Sequence, residues 1–128
     1  MAGTVTSRLE LLAERFAVCR LPPDAELPAV PVGEVFFSMT RTTDELSIVC
    51  PEAAAPDGDI EPGWRCFEVE GPLPFDQVGI LTSIAQPLAT ADVGIFVIST
   101  FDTDYLLVKE DQLEATVAAL TAAGHQVR

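Results

Sequence analysis

The chain is poor in the side chains that most protein chemistry uses. Its 128 residues hold seven Lys and Arg against twenty Asp and Glu, one His, one Trp and one Tyr. A formal charge of -13, with no stripe of basic residues, repels phosphate backbones and anionic lipid, so nucleic acid and membrane surfaces are excluded as natural partners. The single histidine, His125, lies near the end of the chain, where a strand-edge or surface position is expected. It offers little basis for a Ser/His/Asp or Cys/His set. No H-E-x-x-H, calcium-loop, G-x-G-x-x-G or phosphate-loop lysine motif occurs, and the acids are scattered singly rather than at metal-ligand spacing. Catalysis, metal binding and a cofactor are therefore not expected. Asp102 and Asp104 would be the one carboxylate pair worth testing, but residues joining two strands read more simply as a turn acid and a strand-start acid.

Long apolar runs are also missing. Arg8, Glu10 and Glu14 break up the N-terminal stretch, and no later stretch can span a bilayer, so a cytoplasmic protein is expected. Cys19, Cys50 and Cys66 are odd in number, lack C-x-x-C spacing and sit in strand-like apolar runs, which predicts buried thiols rather than a disulfide.

What the chain does have is apolar surface: 48% of residues are hydrophobic and 21% charged, enough to form a compact core. Period-2 alternation predicts strands over 16–21, 34–41, 46–50, 64–70, 94–99 and 104–108, with short ones over 9–12 and 125–127. Pro- and acid-rich loops separate them at 22–28 and 52–63. Two helices are expected. The first, over 78–92, places Ile80, Leu81, Ile84, Leu88 and Ala91 on one face, with Asp76 at its start; Pro87 inside it removes a ladder bond and predicts a kink. The second, over 110–123, opens with Glu110, Asp111 and Glu114, buries Leu113, Val117 and Leu120, and stops at Gly124.

The second half thus reads strand, helix, strand, strand, helix, strand, the βαββαβ order of a ferredoxin-like unit. The first half repeats its central hairpin: a shift of sixty positions places Phe36 on Phe96, Thr40 on Thr100, Asp44 on Asp104 and Ile48 on Val108. It lacks the covering helices, so the expected division is a degenerate unit over 1–62 and a complete one over 63–128, their sheets packed together in an α+β fold. The strand around Ile95 to Ile98 is apolar on both faces, which suggests cover from a second subunit and a homodimer.

The run from Gly94 through Ser99, Thr100, Phe101, Asp104 and Tyr105 to Val108, together with 40–51 and 70–81, resembles the ACT-like domains of the CASTOR family of arginine sensors and their bacterial relatives. Aspartate kinases carry similar regulatory units. The resemblance implies tandem ACT units, no catalysis and no cofactor. It also implies an amino-acid site between the loop before the first helix and the adjoining strand, with a regulated protein partner downstream. Residue by residue, Thr100, Phe101 and Asp104 match the ligand-contact strand and Gly79 and Ile80 the helix-start contacts; Pro74 leads into that helix. Gln77 stands where the arginine sensors are expected to carry an acid, which puts arginine itself in doubt and leaves another amino acid open. Chemically, a helix start can hold a carboxylate and Asp104 an ammonium group, a pattern suited to a zwitterion. Each residue also has a structural use, Gly79 in close packing, Thr100 at a strand end and Asp104 in the turn. A protein-protein interaction module with a vestigial site is the alternative reading.

Overall fold

The computed structural model describes residues 5–30, 33, 36–70 and 79–128. Its elements in chain order are β1 (Arg8–Leu21), β2 (Ser38–Arg41), β3 (Leu46–Pro51), β4 (Asp59–Val69), α1 (Ile80–Thr90), β5 (Phe96–Ser99), β6 (Asp104–Lys109), α2 (Leu113–Ala122) and β7 (Gln126–Val127). Single 3-10 turns follow β3 at Glu52–Ala54 and precede α2 at Glu110–Gln112. The strands follow the hydrogen-bonded order β2-β3-β1-β4-β6-β5, with β7 pairing β1. This is the expected α+β class with a ferredoxin-like unit.

The chain divides into two compact units. One contains Arg65–Arg128 and the chain up to Ala13; the other is Glu14–Trp64. Both β1 and β4 are longer than alternation suggested. β1 is continuous across Ala13, Glu14 and Arg15, where two strands were expected, and β4 begins at Asp59 inside what read as a loop. Its start tolerates Pro62, which cannot donate to a ladder; the neighbouring Gly63 N–H is taken by the Glu52 carboxylate at 2.7 Å.

In the C-terminal unit the core gathers Leu9 from β1, Phe67 and Val69 from β4, Ile80, Ile84 and Leu88 from α1, Leu106 and Val108 from β6, and Leu120 from α2. The spacing of Ile80, Ile84 and Leu88 is one helical stripe, and burying each such side chain is worth about 1.5–3 kcal/mol. Leu81, predicted to share that stripe, is 37% exposed instead, because it sits one residue round the helix from Ile80. In α2, Leu120 is buried and Leu113 and Val117 pack against the core, while Thr116 is buried with its hydroxyl donated to the Gln112 carbonyl at 2.8 Å. His125, expected at a strand edge or on the surface, stands immediately before β7 but is buried, 4% exposed: its Nδ1 accepts the Ser7 N–H at 3.0 Å and its Nε2 lies 2.8 Å from the Ser83 carbonyl.

In the N-terminal unit, β3 pairs antiparallel with both β1 and β2. Ala17, Cys19, Leu46, Ile48 and Cys50 form its core, with Phe37, Met39 and Ala55 against them. After β3 the chain makes only the 3-10 turn at Glu52–Ala54, in place of a second covering helix. Arg41 donates to the carbonyls of Pro23 and Ala25, tying the prolyl loop to β2.

The two hairpins are in a different register from the one read in the sequence. In the second, Thr100 N–H donates to the Thr103 carbonyl and Ser99 pairs with Asp104. In the first, Thr42 N–H donates to the Glu45 carbonyl and Arg41 pairs with Leu46. Thr42 therefore corresponds to Thr100 and Asp44 to Asp102, an offset of 58 rather than sixty.

Candidate functional site

The predicted site residues that the structure describes, Gly79, Ile80, Thr100, Phe101 and Asp104, fall on two features of the C-terminal unit. The first is the β5–β6 hairpin tip. Cross-strand pairing puts Ser99 opposite Asp104, and the Ser99 hydroxyl donates to Asp104 Oδ1 at 2.5 Å. Asp104 Oδ2 takes no partner among the described residues. The turn between them is closed by Thr100, whose N–H donates to the Thr103 carbonyl at 2.8 Å and whose Oγ1 lies 3.1 Å from the same carbonyl and 3.3 Å from the Thr103 N–H. The Thr100 hydroxyl is thus engaged in building the turn, a local use typical of such residues. Phe101 stands out from the tip, 79% exposed.

Thr103 and Ser99 were not singled out in the sequence, yet they position the tip. Thr103 is buried and its hydroxyl donates to the Val69 carbonyl at the end of β4. The only sequence signal for this is a second threonine three residues after Thr100.

The second feature is the start of α1. Gly79 occupies the cap position with φ 93°, a left-handed conformation that glycine adopts without cost, and no side chain among the described residues caps the helix. Its carbonyl accepts the Ser83 N–H at 2.9 Å, and the Ser83 hydroxyl turns back to the Ile80 carbonyl at 2.6 Å. Among the described residues the first amides of the helix have no partner, and such amides suit water or an anionic group. Ile80 belongs to the core, 7% exposed, so only its backbone could meet a ligand. Pro74, Gln77 and the expected cap Asp76 lie outside the described residues.

Topology brings the two features to the same end. β4 finishes beside Thr103, at the tip of the hairpin, and the connection through α1 must carry the chain from there back to the far end of the sheet, where β5 begins. The first turn of α1 consequently lies towards the tip rather than away from it. A positive helix start and a carboxylate with one open oxygen are complementary to a group carrying both charges.

Next to this end, burial pushes the Tyr105 phenol above its ordinary pKa, and the charges of Glu68, Cys66 and Asp102 add to the effect. The described residues contain no group of three or more His, Cys, Asp and Glu side chains able to hold a metal ion, and no helix long and apolar enough to cross a membrane.

The profile of the ACT domain matches residues 59–122, and a second profile, for an N-terminal domain, matches residues 14–58. Among solved structures, a protein of Agrobacterium tumefaciens is 44% identical, with 97% of this chain and 93% of that one covered at a TM-score of 0.89. The regulatory subunit of aspartate kinase from Thermus thermophilus shares the fold at 11% identity, covering 94% and 99% of the two chains at a TM-score of 0.64. The human cytosolic arginine sensor for mTORC1, subunit 1, is 45% identical over 58 residues, which are 44% of this chain and 18% of the sensor. The chain therefore spans less than a fifth of that relative's length.

Proposed function

Since the chain belongs to the ACT domain family, we propose that it is a non-catalytic regulatory module that binds a small molecule, an amino acid by chemistry, at the hairpin-tip end of its C-terminal unit. The observation that carries this reading is the pairing of an uncapped α1 start at Gly79 with the open oxygen of Asp104, whose other oxygen is fixed by Ser99. The ligand carboxylate is held by the first amides of α1 and its ammonium by Asp104. Thr100 and Phe101 shape the tip, Ile80 contributes backbone only, and Pro74 and Gln77 belong to the loop that leads into the helix. The arginine sensor and the aspartate kinase subunits support an amino-acid signal. They leave its identity open. In this reading the protein works in the cytoplasm, and a homodimer covers β5, whose Phe96, Val97 and Ile98 are only half-buried at the edge of the sheet order.

A thermal-shift screen of the common amino acids tests the proposal. A ligand at about a hundred times its dissociation constant adds roughly 2.7 kcal/mol to stability, and Asp104→Ala should abolish that shift while the unliganded protein still unfolds cooperatively. The absence of a shift with every amino acid, or normal binding by Asp104→Ala, would overturn it.

The exposure of Phe101 favours one second reading, an interaction module that presents the tip to a protein partner. Capture of a specific partner that Phe101→Ala abolishes and no amino acid modulates would favour it over ligand sensing.

A further inference from the structure

The N-terminal unit carries a cleft of its own. It is open, about 330 Å³ in volume, and lined by Arg20, Leu21, Pro22, Asp44, Gly58 and Asp59. Three separate segments meet there: the end of β1, the β2–β3 turn and the start of β4. At Gly58, with φ 151°, an added Cβ would lie 2.8 Å from Leu21 Cδ2 and 2.9 Å from the Arg20 carbonyl oxygen. The backbone there closes directly onto the end of β1, and only glycine allows it.

The charges in the cleft are incompletely paired. Arg20 meets Asp59 at a single oxygen: Nη2 at 2.7 Å and Nε at 3.2 Å both donate to Oδ2. This end-on arrangement leaves Arg20 Nη1 and Asp59 Oδ1 without a partner among the described residues. The Asp44 carboxylate has none either; only its backbone N–H is engaged, donating to Thr42 Oγ1 at 3.1 Å. One guanidinium and two carboxylates give the lining a net charge of -1, to which the nearby Glu45 carboxylate adds its negative field at Arg20, and the volume is at the lower end of what small-molecule sites occupy.

The corrected hairpin register gives the cleft a meaning. Thr42 to Glu45 is the counterpart of Thr100 to Thr103, so the cleft lies at the hairpin-tip end of its unit, as the site proposed above lies in its own. There the positive element is a helix start. Here no helix follows β1 among the described residues, and the guanidinium of Arg20 stands in its place.

We propose that this cleft is a second small-molecule site, for an α-amino acid with a cationic side chain, its carboxylate on Arg20 Nη1 and its ammonium groups on Asp44 and Asp59. A zwitterion alone leaves the site one charge short, whereas a ligand of net charge +1 neutralises it. Binding here does not require the Asp104 site to be occupied.

The test is an amide-resolved NMR titration of the full chain with L-lysine, against L-norleucine, which lacks the side-chain ammonium, and cadaverine, which lacks the carboxylate. L-lysine should shift the signals of Asp44, Gly58 and Asp59 saturably. Norleucine and cadaverine should each bind at least about tenfold more weakly, as should L-lysine on Arg20→Gln and on Asp44→Asn. All of these side chains are at the surface, so the variants retain the fold and their spectra report it. Unmoved signals at those three residues, equal binding of cadaverine, or undiminished binding by both variants would overturn the inference. Loss of the cleft shifts in Asp104→Asn would do the same, since the cleft would then not be a separate site. Shifts in the cleft with L-lysine, and none at Gly79 or Thr100 with any of the common amino acids, would sink the earlier proposal and leave this one standing.

Discussion

Pro87 and His125 are complementary. In an α-helix the Ser83 carbonyl would accept the N–H of residue 87, and proline has none; His125 Nε2 stands 2.8 Å from that carbonyl instead. The same contact fixes the tautomer. Nε2 carries the proton donated to Ser83, so Nδ1 is free to accept the Ser7 N–H at 3.0 Å. One buried imidazole thus satisfies a helix whose ladder is broken from within and ties its first turns to the residue before β1.

This makes His125→Ala expensive and Pro87→Ala cheap. Removing the ring leaves the Ser83 carbonyl and the Ser7 amide unpaired and opens a cavity, at a cost of about 2–4 kcal/mol in urea unfolding. Pro87→Ala restores a helical donor and should change stability by less than about 1 kcal/mol. In the double variant the backbone N–H gained at position 87 reaches the orphaned carbonyl, so the cost of losing His125 should fall by roughly 1 kcal/mol. Strict additivity would show that the histidine acts by filling space alone.

Tyr105 predicts a stability slope at high pH. Burial raises its phenol, with Glu68 leading the charges that help, so the folded protein holds the proton above the ordinary value of about 10 while the unfolded chain releases it there. The unfolded state then binds fewer protons, and stability falls as pH rises from about 10 through the folded-state value. Because the chain has one tyrosine, tyrosinate absorbance reports this group alone. The native midpoint should lie above that in urea, and Tyr105→Phe should flatten the decline; coincident midpoints would contradict the assignment.

The second hairpin and both helices were legible because local signals agree there: a short apolar run between the polar ends of Asp104–Lys109, a single stripe of Ile80, Ile84 and Leu88, and glycines at the helix ends. The hairpin register was not. An offset of 58 and one of sixty are both even, so a slip of two leaves every side chain on its own face. Only the Thr42–Glu45 and Thr100–Thr103 hydrogen bonds distinguish them. The continuity of β1 was missed for a different reason: strands were expected over 9–12 and 16–21, but Ala13, Glu14 and Arg15 interrupt the alternation, although the backbone continues through them. His125 was illegible because its burial depends on a carbonyl that a distant proline sets free. Of the candidate site, Asp104 and Gly79 could be found by pattern, whereas Ser99 and Thr103 act through pairings that only the folded hairpin creates.

The cysteines should be silent to thiol reagents in the native protein. Cys19, Cys50 and Cys66 are free and buried, and burial pushes the Cys19 thiol up although a hydrogen bond with Cys50 opposes the shift. A thiol that is both inaccessible and protonated does not attack. Labelling with an aromatic disulfide should therefore follow global unfolding, its rate rising with urea in step with the unfolded fraction. Fast labelling of one thiol in the absence of denaturant would show that its unit opens locally.

Thr103 is the residue through which the candidate site depends on the sheet beneath it. Its hydroxyl donates to the Val69 carbonyl, and its backbone closes the turn that Thr100 begins. Thr103→Val keeps the shape and removes that donor, leaving a buried carbonyl unpaired at a cost of about 1–3 kcal/mol. The effect should be local as well as global. Amide hydrogen exchange should quicken at Thr100 and Thr103 more than in α2, because the tip loses its attachment to the end of β4. If the tip must be held in place to present Asp104, the same variant should weaken amino-acid binding even though residue 103 is itself buried and touches no ligand. Thr103→Ser, which keeps the hydroxyl and gives up one methyl group, should recover most of the exchange protection. Equal loss in Thr103→Val and Thr103→Ser would show that packing, not the hydrogen bond to Val69, holds the tip.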